Sequence, residues 1–308
     1  MGQVRTYFKE VADKPLPVKI RRTFTKTLIR VLIYVLLIEF VFVFLYPYLN
    51  MFVKSLQFES DLRDVNRTWV LTALNFNNYS LAVSGLDYLK SLLNNVIIVG
   101  LSTIGHLFSC SLAGYGLARF RFPGSRIAFG IVILSIMIPE ILLIMPMSVQ
   151  FLKWGWMGSM KTIIVPSFFG FGLRGGLFIF LFRQFFKGLP RSYEESAKLE
   201  GCTQFGIFYR ILLPIGKTSM LVVTTLSVIW HWNDFLEPRA FLNSANWMLG
   251  QKLDALPSYL YWAQSAVGDN VSPVQMAAAA LVTLPVLIIF AFIQKNFIKG
   301  IEFTGLAN

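Results

Sequence analysis

The sequence predicts an all-α integral membrane protein with six transmembrane helices and both termini in the cytoplasm. Two observations carry this prediction: the apolar composition and the one-sided distribution of charge. Of the 308 residues, 55% are hydrophobic and only 14% are charged, whereas about a quarter of an average soluble domain is charged. A soluble fold of this size could not bury so much apolar surface, so we expect lipid to cover part of it.

Six apolar segments approach the length of about 20 residues that crosses a bilayer as a helix. They are residues 31–49, 91–118, 127–152, 162–182, 216–236 and 276–294. With the N-terminus inside, 19 of the 28 Lys and Arg residues and six of the 16 acidic residues fall on the inner side. The net charge of +12 is therefore concentrated there, as the positive-inside bias of membrane proteins requires. The charge thus indicates orientation and does not indicate nucleic-acid binding.

These segments predict a chain in three parts. Residues 1–30 form a basic cytoplasmic tail with the start of the first helix, residues 31–298 a transmembrane domain, and residues 299–308 a cytoplasmic tail. No cleavable signal peptide is expected, because the first apolar run begins late and is too long for one. Small residues crowd the inner half of the segment 91–118, so we expect this helix at the centre of the bundle.

No pattern in the sequence indicates catalysis or metal binding. Neither a GxxxxGK[ST] phosphate-binding motif nor an HExxH motif is present. The two histidines, His106 and His231, fall in separate predicted helices, and Cys110 and Cys202 have no metal-ligand spacing. We therefore expect no catalytic residue, no metal and no cofactor on this chain.

The inner segment 190–214 reads as two short helices with defined ends. Ser192 and Glu195 have the spacing of a capping box, and Gly201 stands where a helix end favours a left-handed residue. Thr203 can cap a second helix, which Pro214 would end or kink. The segment is either an amphipathic loop on the lipid headgroups or a rigid element that transmits movement to another protein.

This segment resembles the EAA loop of binding-protein-dependent ABC importer permeases, in which E-A-A-x-x-x-G precedes an aromatic residue, an isoleucine and a proline. The matching residues are Glu195, Ser196, Ala197, Glu200, Gly201, Phe208, Ile211 and Pro214. Ser196, Glu200 and Cys202 depart from the usual Ala, Asp and Ala. LAGYGLARFRFPG (112–124) and WNDFLEPRAFL (232–242) are similar to segments of maltose-type carbohydrate permeases, specifically the MalG-like subunit. The resemblance extends from about residue 30 to residue 308.

The resemblance implies the type I ABC importer permease fold and a set of partners. These are a second homologous permease in a heterodimer, two ATP-binding subunits that hold ATP and magnesium, and an extracytoplasmic protein that delivers a carbohydrate. The segment 190–214, including Ser192, would be the coupling loop that docks on the ATPase. The membrane would be the cytoplasmic membrane of a bacterium or an archaeon.

Two further regions are candidate sites. Ionisable groups at membrane depth usually face a bundle interior or water, which makes Glu140 a candidate for the substrate path. Trp232, Asn233 and Asp234 are further candidates, with packing at the membrane interface as the alternative. In MalG-like proteins an extended, glycine-containing tail reaches into the ATPase dimer. The resemblance implies such a contact through Gly300, Thr304 and Gly305, and a frayed terminus is the alternative.

Two other functions remain open on the sequence. A secondary transporter or channel driven by an ion gradient would work without an ATPase and would carry more buried ionisable groups. A membrane enzyme would need a catalytic pairing of side chains.

Overall fold

The computed structural model describes residues 18–58, 60, 61, 69, 71–172, 174–262 and 271–305. Within these residues the fold is helical, without strands. The helices in chain order are α1 (Val18–Ser55), α2 (Asn77–Leu86), α3 (Tyr88–Arg119), α4 (Ser125–Met137), α5 (Ile141–Lys153), α6 (Lys161–Ser167), α7 (Gly175–Gly188), α8 (Ser192–Leu199), α9 (Gln204–Ile207), α10 (Leu213–Ile215), α11 (Lys217–Asn233), α12 (Leu236–Phe241), α13 (Leu249–Trp262) and α14 (Val271–Gly305). The chain divides into two units, Met1–Val53 and Lys54–Asn308.

The first unit is built by α1. This helix begins at Val18, well before residue 31, where the first apolar segment begins. Its side chains are exposed all round over residues 26–49, although most of them are apolar. An apolar helix surface of this kind is typical of contact with lipid or with another membrane helix.

The second unit is organised around α3, which packs against α2, α6, α7, α11 and α13. The small residues of α3 bring its backbone very close to α7. A Cβ atom on Gly114 would lie 2.6 Å from the Cβ of Phe182 and 2.9 Å from the backbone nitrogen of Arg183. The prediction that small residues place this helix at the centre of the bundle is confirmed.

The predicted third span, 127–152, is two helices. The axes of α4 and α5 differ by 107° across the break at Pro139 and Glu140. Ile138 has an extended backbone, with ψ 122°, because a proline disfavours the helical conformation in the residue before it.

The predicted fourth span, 162–182, is divided into two helices. Helix α6 ends at Ser167 and α7 begins at Gly175. Between them, Gly170, Gly172 and Arg174 have φ angles of +68°, +99° and +62°. These left-handed conformations are incompatible with a right-handed helix, so a loop separates α6 from α7.

Among the described residues, three stretches are long and apolar enough to cross a membrane as single helices. They are Lys26–Ser55, Tyr88–Arg119 and Ser272–Phe292. The number rises to five if each of two bent pairs, α4 with α5 and Gln204–Ile215 with α11, forms one span. The count of six predicted from the sequence is therefore not reproduced, because the loop after α6 divides the fourth segment.

Helix α14 continues to Gly305. The predicted tail positions Gly300, Thr304 and Gly305 are therefore helical in backbone, where an extended tail was expected. Residues 306–308 lie outside the described residues.

Candidate functional sites: an inner elbow and a polar cleft

The segment 190–214, which we call the elbow, turns a sharp corner at Gly201. The N–H of Cys202 donates to the carbonyl of Ala197, and the N–H of Gly201 donates to that of Lys198, both at 3.0 Å. Gly201 has φ +80°, so the end of α8 is the glycine-terminated motif in which a left-handed residue closes the last turn. The role predicted for Gly201 is confirmed.

The start of α8 differs from the prediction, because Ser192 caps nothing. Arg191, the residue before the helix, already has a helical backbone conformation, and its carbonyl accepts the N–H groups of Glu194 and Glu195. The helix therefore begins one residue earlier than predicted. Ser192 is therefore the first helical residue, and the predicted capping box with Glu195 is wrong.

The second helix of the elbow starts as predicted and continues differently. Thr203 Oγ1 accepts the N–H of Gly206 at 3.1 Å, which confirms the predicted cap. Helix α9 then gives way to a wider π-helical turn over Phe208–Leu212 before Pro214. Pro214 has no N–H to donate to Arg210, four residues earlier, so a regular α-helical ladder cannot continue through it.

A buried ion pair links the elbow to the C-terminal end of α3. Arg119 Nε lies 2.6 Å from Glu194 Oε1, and the two side chains are only 6% and 10% exposed. Arg119 Nη2 also donates to the carbonyl of Leu189 at 2.8 Å. The hydroxyl of Tyr115 donates to Gln204 Oε1 at 3.2 Å. Both short helices of the elbow are thus tied to one long helix.

Aromatic packing supports the same junction. The ring of Tyr115 stacks on Phe208 with centroids 5.1 Å apart, and it meets Phe186 edge-on at 5.7 Å. Phe208 is 5% exposed and Ala197 is 3% exposed. These two motif residues hold the elbow on the bundle and cannot offer their side chains to a partner protein.

The outward surface of the elbow carries large apolar side chains that the motif does not include. Leu199 is 91% exposed, and Phe205 and Tyr209 are each 63% exposed. The motif residues Glu195, Ser196, Glu200 and Pro214 are also exposed, whereas Ile211 is half-buried. Apolar groups on an otherwise polar surface mark contact sites.

The second site is a cleft of about 90 Å³, which we call the polar cleft. It lies between the bend at Glu140, the loop before α7 and the start of α12. Arg174 Nε lies 3.1 Å from Glu140 Oε1. The guanidinium of Arg174 also lies 5.4 Å from the ring centre of Trp230. Glu140, which the sequence made a candidate for the substrate path, therefore lines this cleft and forms an ion pair with Arg174 of the fourth apolar segment.

A second acid, Glu237, also lines this cleft. It belongs to α12, outside the candidate spans, and is only 7% exposed. Burial, together with the nearby carboxylates of Asp234 and Glu140, raises the pKa of Glu237 to about 8. Asp234 Oδ1 accepts the backbone N–H of Leu236 at 3.0 Å and so fixes the start of α12. Glu237 was not among the predicted site residues, although it lies in the segment WNDFLEPRAFL (232–242), three residues after the candidate Asp234.

Three of the predicted path residues do not line the cleft: Trp232, Asn233 and Asp234. Trp232 is 8% exposed and packs in a core with Ile98 and Leu249. Asn233 is exposed, and its side chain donates to the carbonyl of Ile229 at 2.8 Å. The packing alternative therefore holds for Trp232.

The two histidines meet in the bundle core, although they lie on separate helices. The ring centres of His106 and His231 are 5.2 Å apart. His231 Nδ1 lies 2.9 Å from the carbonyl oxygen of Ser227, whose hydroxyl is 3.0 Å from that of Thr103. All four residues are buried, so the cluster packs α3 against α11 and is closed to a substrate in this structure.

Comparison with known proteins establishes the class. The model of the family of binding-protein-dependent transport system inner membrane components matches residues 110–303. The chain belongs to this family and is a multi-pass membrane protein. It is 31% identical over 264 residues to the arabinooligosaccharides transport system permease protein AraQ of Bacillus subtilis (strain 168), covering 85% of this chain and 90% of that protein.

Two further comparisons agree. The chain is 27% identical over 267 residues to the polygalacturonan/rhamnogalacturonan transport system permease protein YtcP of Bacillus subtilis (strain 168), covering 82% of this chain and 89% of that protein. A chain of a bacterial ABC transporter involved in the import of the acidic polysaccharide alginate, solved as a crystal structure, superposes with a TM-score of 0.75 at 20% identity. That match covers 92% of this chain and 100% of the other, and it shows a shared fold.

Proposed function

We propose that this chain is the transmembrane permease subunit of an ATP-driven ABC importer that carries a sugar or oligosaccharide across the cytoplasmic membrane of a bacterium or archaeon. The observation that carries the proposal is the elbow, where exposed apolar side chains stand on an element tied to α3 through buried Arg119 and Glu194. The names of AraQ and YtcP, which refer to saccharide transport, support a saccharide as the cargo.

The proposed complex contains a second homologous permease, two ATP-binding subunits and an extracytoplasmic binding protein. ATP and magnesium belong to the ATP-binding subunits, while this chain binds no cofactor and performs no chemistry. We further propose six membrane crossings with both termini in the cytoplasm. The position of 19 of the 28 basic residues on that side supports this orientation.

Movement of the ATP-binding subunits would reach the polar cleft through α3. The elbow would receive the movement through Leu199, Phe205 and Tyr209, together with exposed motif residues at the start and end of α8. The contacts of Arg119 and Tyr115 with the elbow would pass the movement to α3. Helix α3 packs closely on α7, whose first residues line the cleft. Gly300, Thr304 and Gly305 remain a proposed contact with the ATPase.

A gradient-driven transporter is the alternative function. It would need no ATP-binding partner, and the large exposed apolar side chains of the elbow would then have no contact to make. The matching family of binding-protein-dependent transport components supports the importer instead.

Replacing Leu199 with Asp tests the elbow as a docking element. Leu199 is 91% exposed, so the change should leave the fold intact while it places a charge in the proposed contact. Losing a buried leucine costs about 2 kcal/mol, or about thirtyfold in affinity. We expect the ATP-binding subunits to dissociate when the complex is purified from membranes, and we expect ATP hydrolysis stimulated by the loaded binding protein to fall in parallel.

Leu199→Met is the matched control, because it keeps the apolar surface, and it should retain both properties. Normal co-purification and normal stimulated hydrolysis with Leu199→Asp would show that the elbow is only a connector.

A further inference from the structure

The polar cleft contains a carboxyl group that has no partner among the residues the structure describes. The side chain of Glu237 makes no hydrogen bond or ion pair within the part of the chain that the structure describes. It is nevertheless only 7% exposed and lines the cleft. Burying a polar group without a hydrogen bond is costly, so the missing partner of Glu237 is expected to enter through the cleft.

The residues around Glu237 restrict which kind of ligand group can bind to its carboxyl. Asp234 Oδ2 is also buried without a hydrogen-bond partner, and Arg174 is engaged with Glu140. An apolar ligand would leave the Glu237 carboxyl unsatisfied, and an anion would meet the carboxyl groups of Glu140 and Glu237 against one guanidinium, that of Arg174. A group that donates hydrogen bonds and carries no negative charge fits best.

The cleft also has an apolar side. Phe171 lines it and is 51% exposed, so its side chain is only partly covered by the rest of the chain. The volume of about 90 Å³ has room for several groups of the size of a water molecule. A sugar hydroxyl is a group of that size. Burial and the neighbouring carboxylates raise the pKa of Glu237 and so favour its protonated form; a protonated carboxyl can both donate to and accept from a hydroxyl.

We propose that the polar cleft is a saccharide-contacting subsite of this subunit, in which Glu237 hydrogen-bonds a substrate hydroxyl and Phe171 packs against the apolar face of a sugar ring. The inference rests on the proposed function and adds that this chain itself touches the cargo. The first residues of α7 line the cleft. The subsite would therefore change shape if α7 shifted against α5 and α12.

The test is ATP-driven import by proteoliposomes that contain the complete transporter and its binding protein. The probes are radiolabelled neutral di- and trisaccharides of glucose, galactose, arabinose, xylose and N-acetylglucosamine. The unaltered complex is expected to import at least one of them. Glu237→Leu should lower that import by about tenfold, as expected for loss of one buried hydrogen bond. Glu237→Gln should retain most of it, because an amide both donates and accepts.

Phe171→Leu should lower import several-fold, because a branched aliphatic side chain cannot stack on a ring. Phe169→Leu is its matched control: Phe169 is 80% exposed, lies two residues away and does not line the cleft, so its import should equal that of the unaltered complex. The amount of assembled complex in each preparation is measured to separate import from assembly.

The outcomes distinguish the subsite from the function it rests on. If the unaltered complex imports none of these probes, a neutral saccharide cargo is contradicted, and the subsite with it, while ATP hydrolysis stimulated by the loaded binding protein still tests the importer function. If it imports a probe and Glu237→Leu imports it at least as well as Glu237→Gln, the carboxyl only packs in the fold and the subsite is overturned. Equal effects of Phe171→Leu and Phe169→Leu would overturn the stacking role.

Discussion

Replacing Arg119 with Met is expected to destabilise the protein by about 3–5 kcal/mol, the typical cost of removing one partner from a buried ion pair. Glu194, whose side chain is 10% exposed, would lose the guanidinium that lies 2.6 Å from it. The carbonyl of Leu189 would lose its donor as well. We expect a lower unfolding temperature in detergent and a loss of ATP hydrolysis stimulated by the loaded binding protein, because the elbow would no longer be fixed to α3.

A double variant and a surface variant make this test specific. In Arg119→Met/Glu194→Met the unpaired charge is gone, and apolar side chains of similar size often replace a buried ion pair without loss, so the unfolding temperature should recover. Arg121→Met removes a similar charge from an exposed position two residues away and should have little effect. A single variant at Arg119 as stable as the Arg121 variant would contradict the role given to the ion pair.

The second large effect is expected at the crossing of α3 and α7. In Gly114→Ala the new methyl group would lie 2.6 Å from the Cβ of Phe182 and 2.9 Å from the backbone nitrogen of Arg183. Backbone atoms cannot move aside as a flexible side chain can, so the helices must separate. Overpacking of this kind costs about 1–3 kcal/mol, which should lower both the unfolding temperature and the yield of assembled complex.

Gly116→Ala is the matched control for Gly114→Ala. It lies on the same helix two residues further on, and a Cβ atom there would have no neighbour within 4 Å. Alanine also favours a helix over glycine by about 1 kcal/mol, so this variant should be as stable as the unaltered protein or slightly more stable. Equal unfolding temperatures for the two variants would contradict the close packing of α3 on α7.

The sequence predicts the parts of this structure that depend on local signals. Apolar length and composition identify α3 and α11, and small residues identify the central helix. Gly201 and Thr203 predict the corner of the elbow, because the requirement for a left-handed residue and for a capping oxygen is local. The predicted cap at Ser192 was wrong because a shift of one residue in the start of a helix changes which side chain can cap it.

Contacts between distant segments have no such signal. The ion pair of Arg119 with Glu194 and the placement of Glu237 beside Glu140 depend on how helices far apart in the chain pack together. The length and composition of the fourth apolar segment do not give the ends of its two helices, which are separated by a loop where Gly170 and Gly172 turn the backbone. The elbow motif likewise did not distinguish Phe208, which is buried, from Phe205, which is exposed.

The energy source of transport tests the central claim most directly. The chain, co-purified with its permease, ATP-binding and binding-protein partners, is reconstituted in proteoliposomes, and accumulation of a labelled neutral oligosaccharide is measured with and without ATP on the side of the ATP-binding subunits. We predict accumulation that requires ATP and the binding protein and that is unchanged by ionophores that collapse ion gradients. Accumulation by this chain without the ATP-binding subunits, abolished by the same ionophores, would contradict the account.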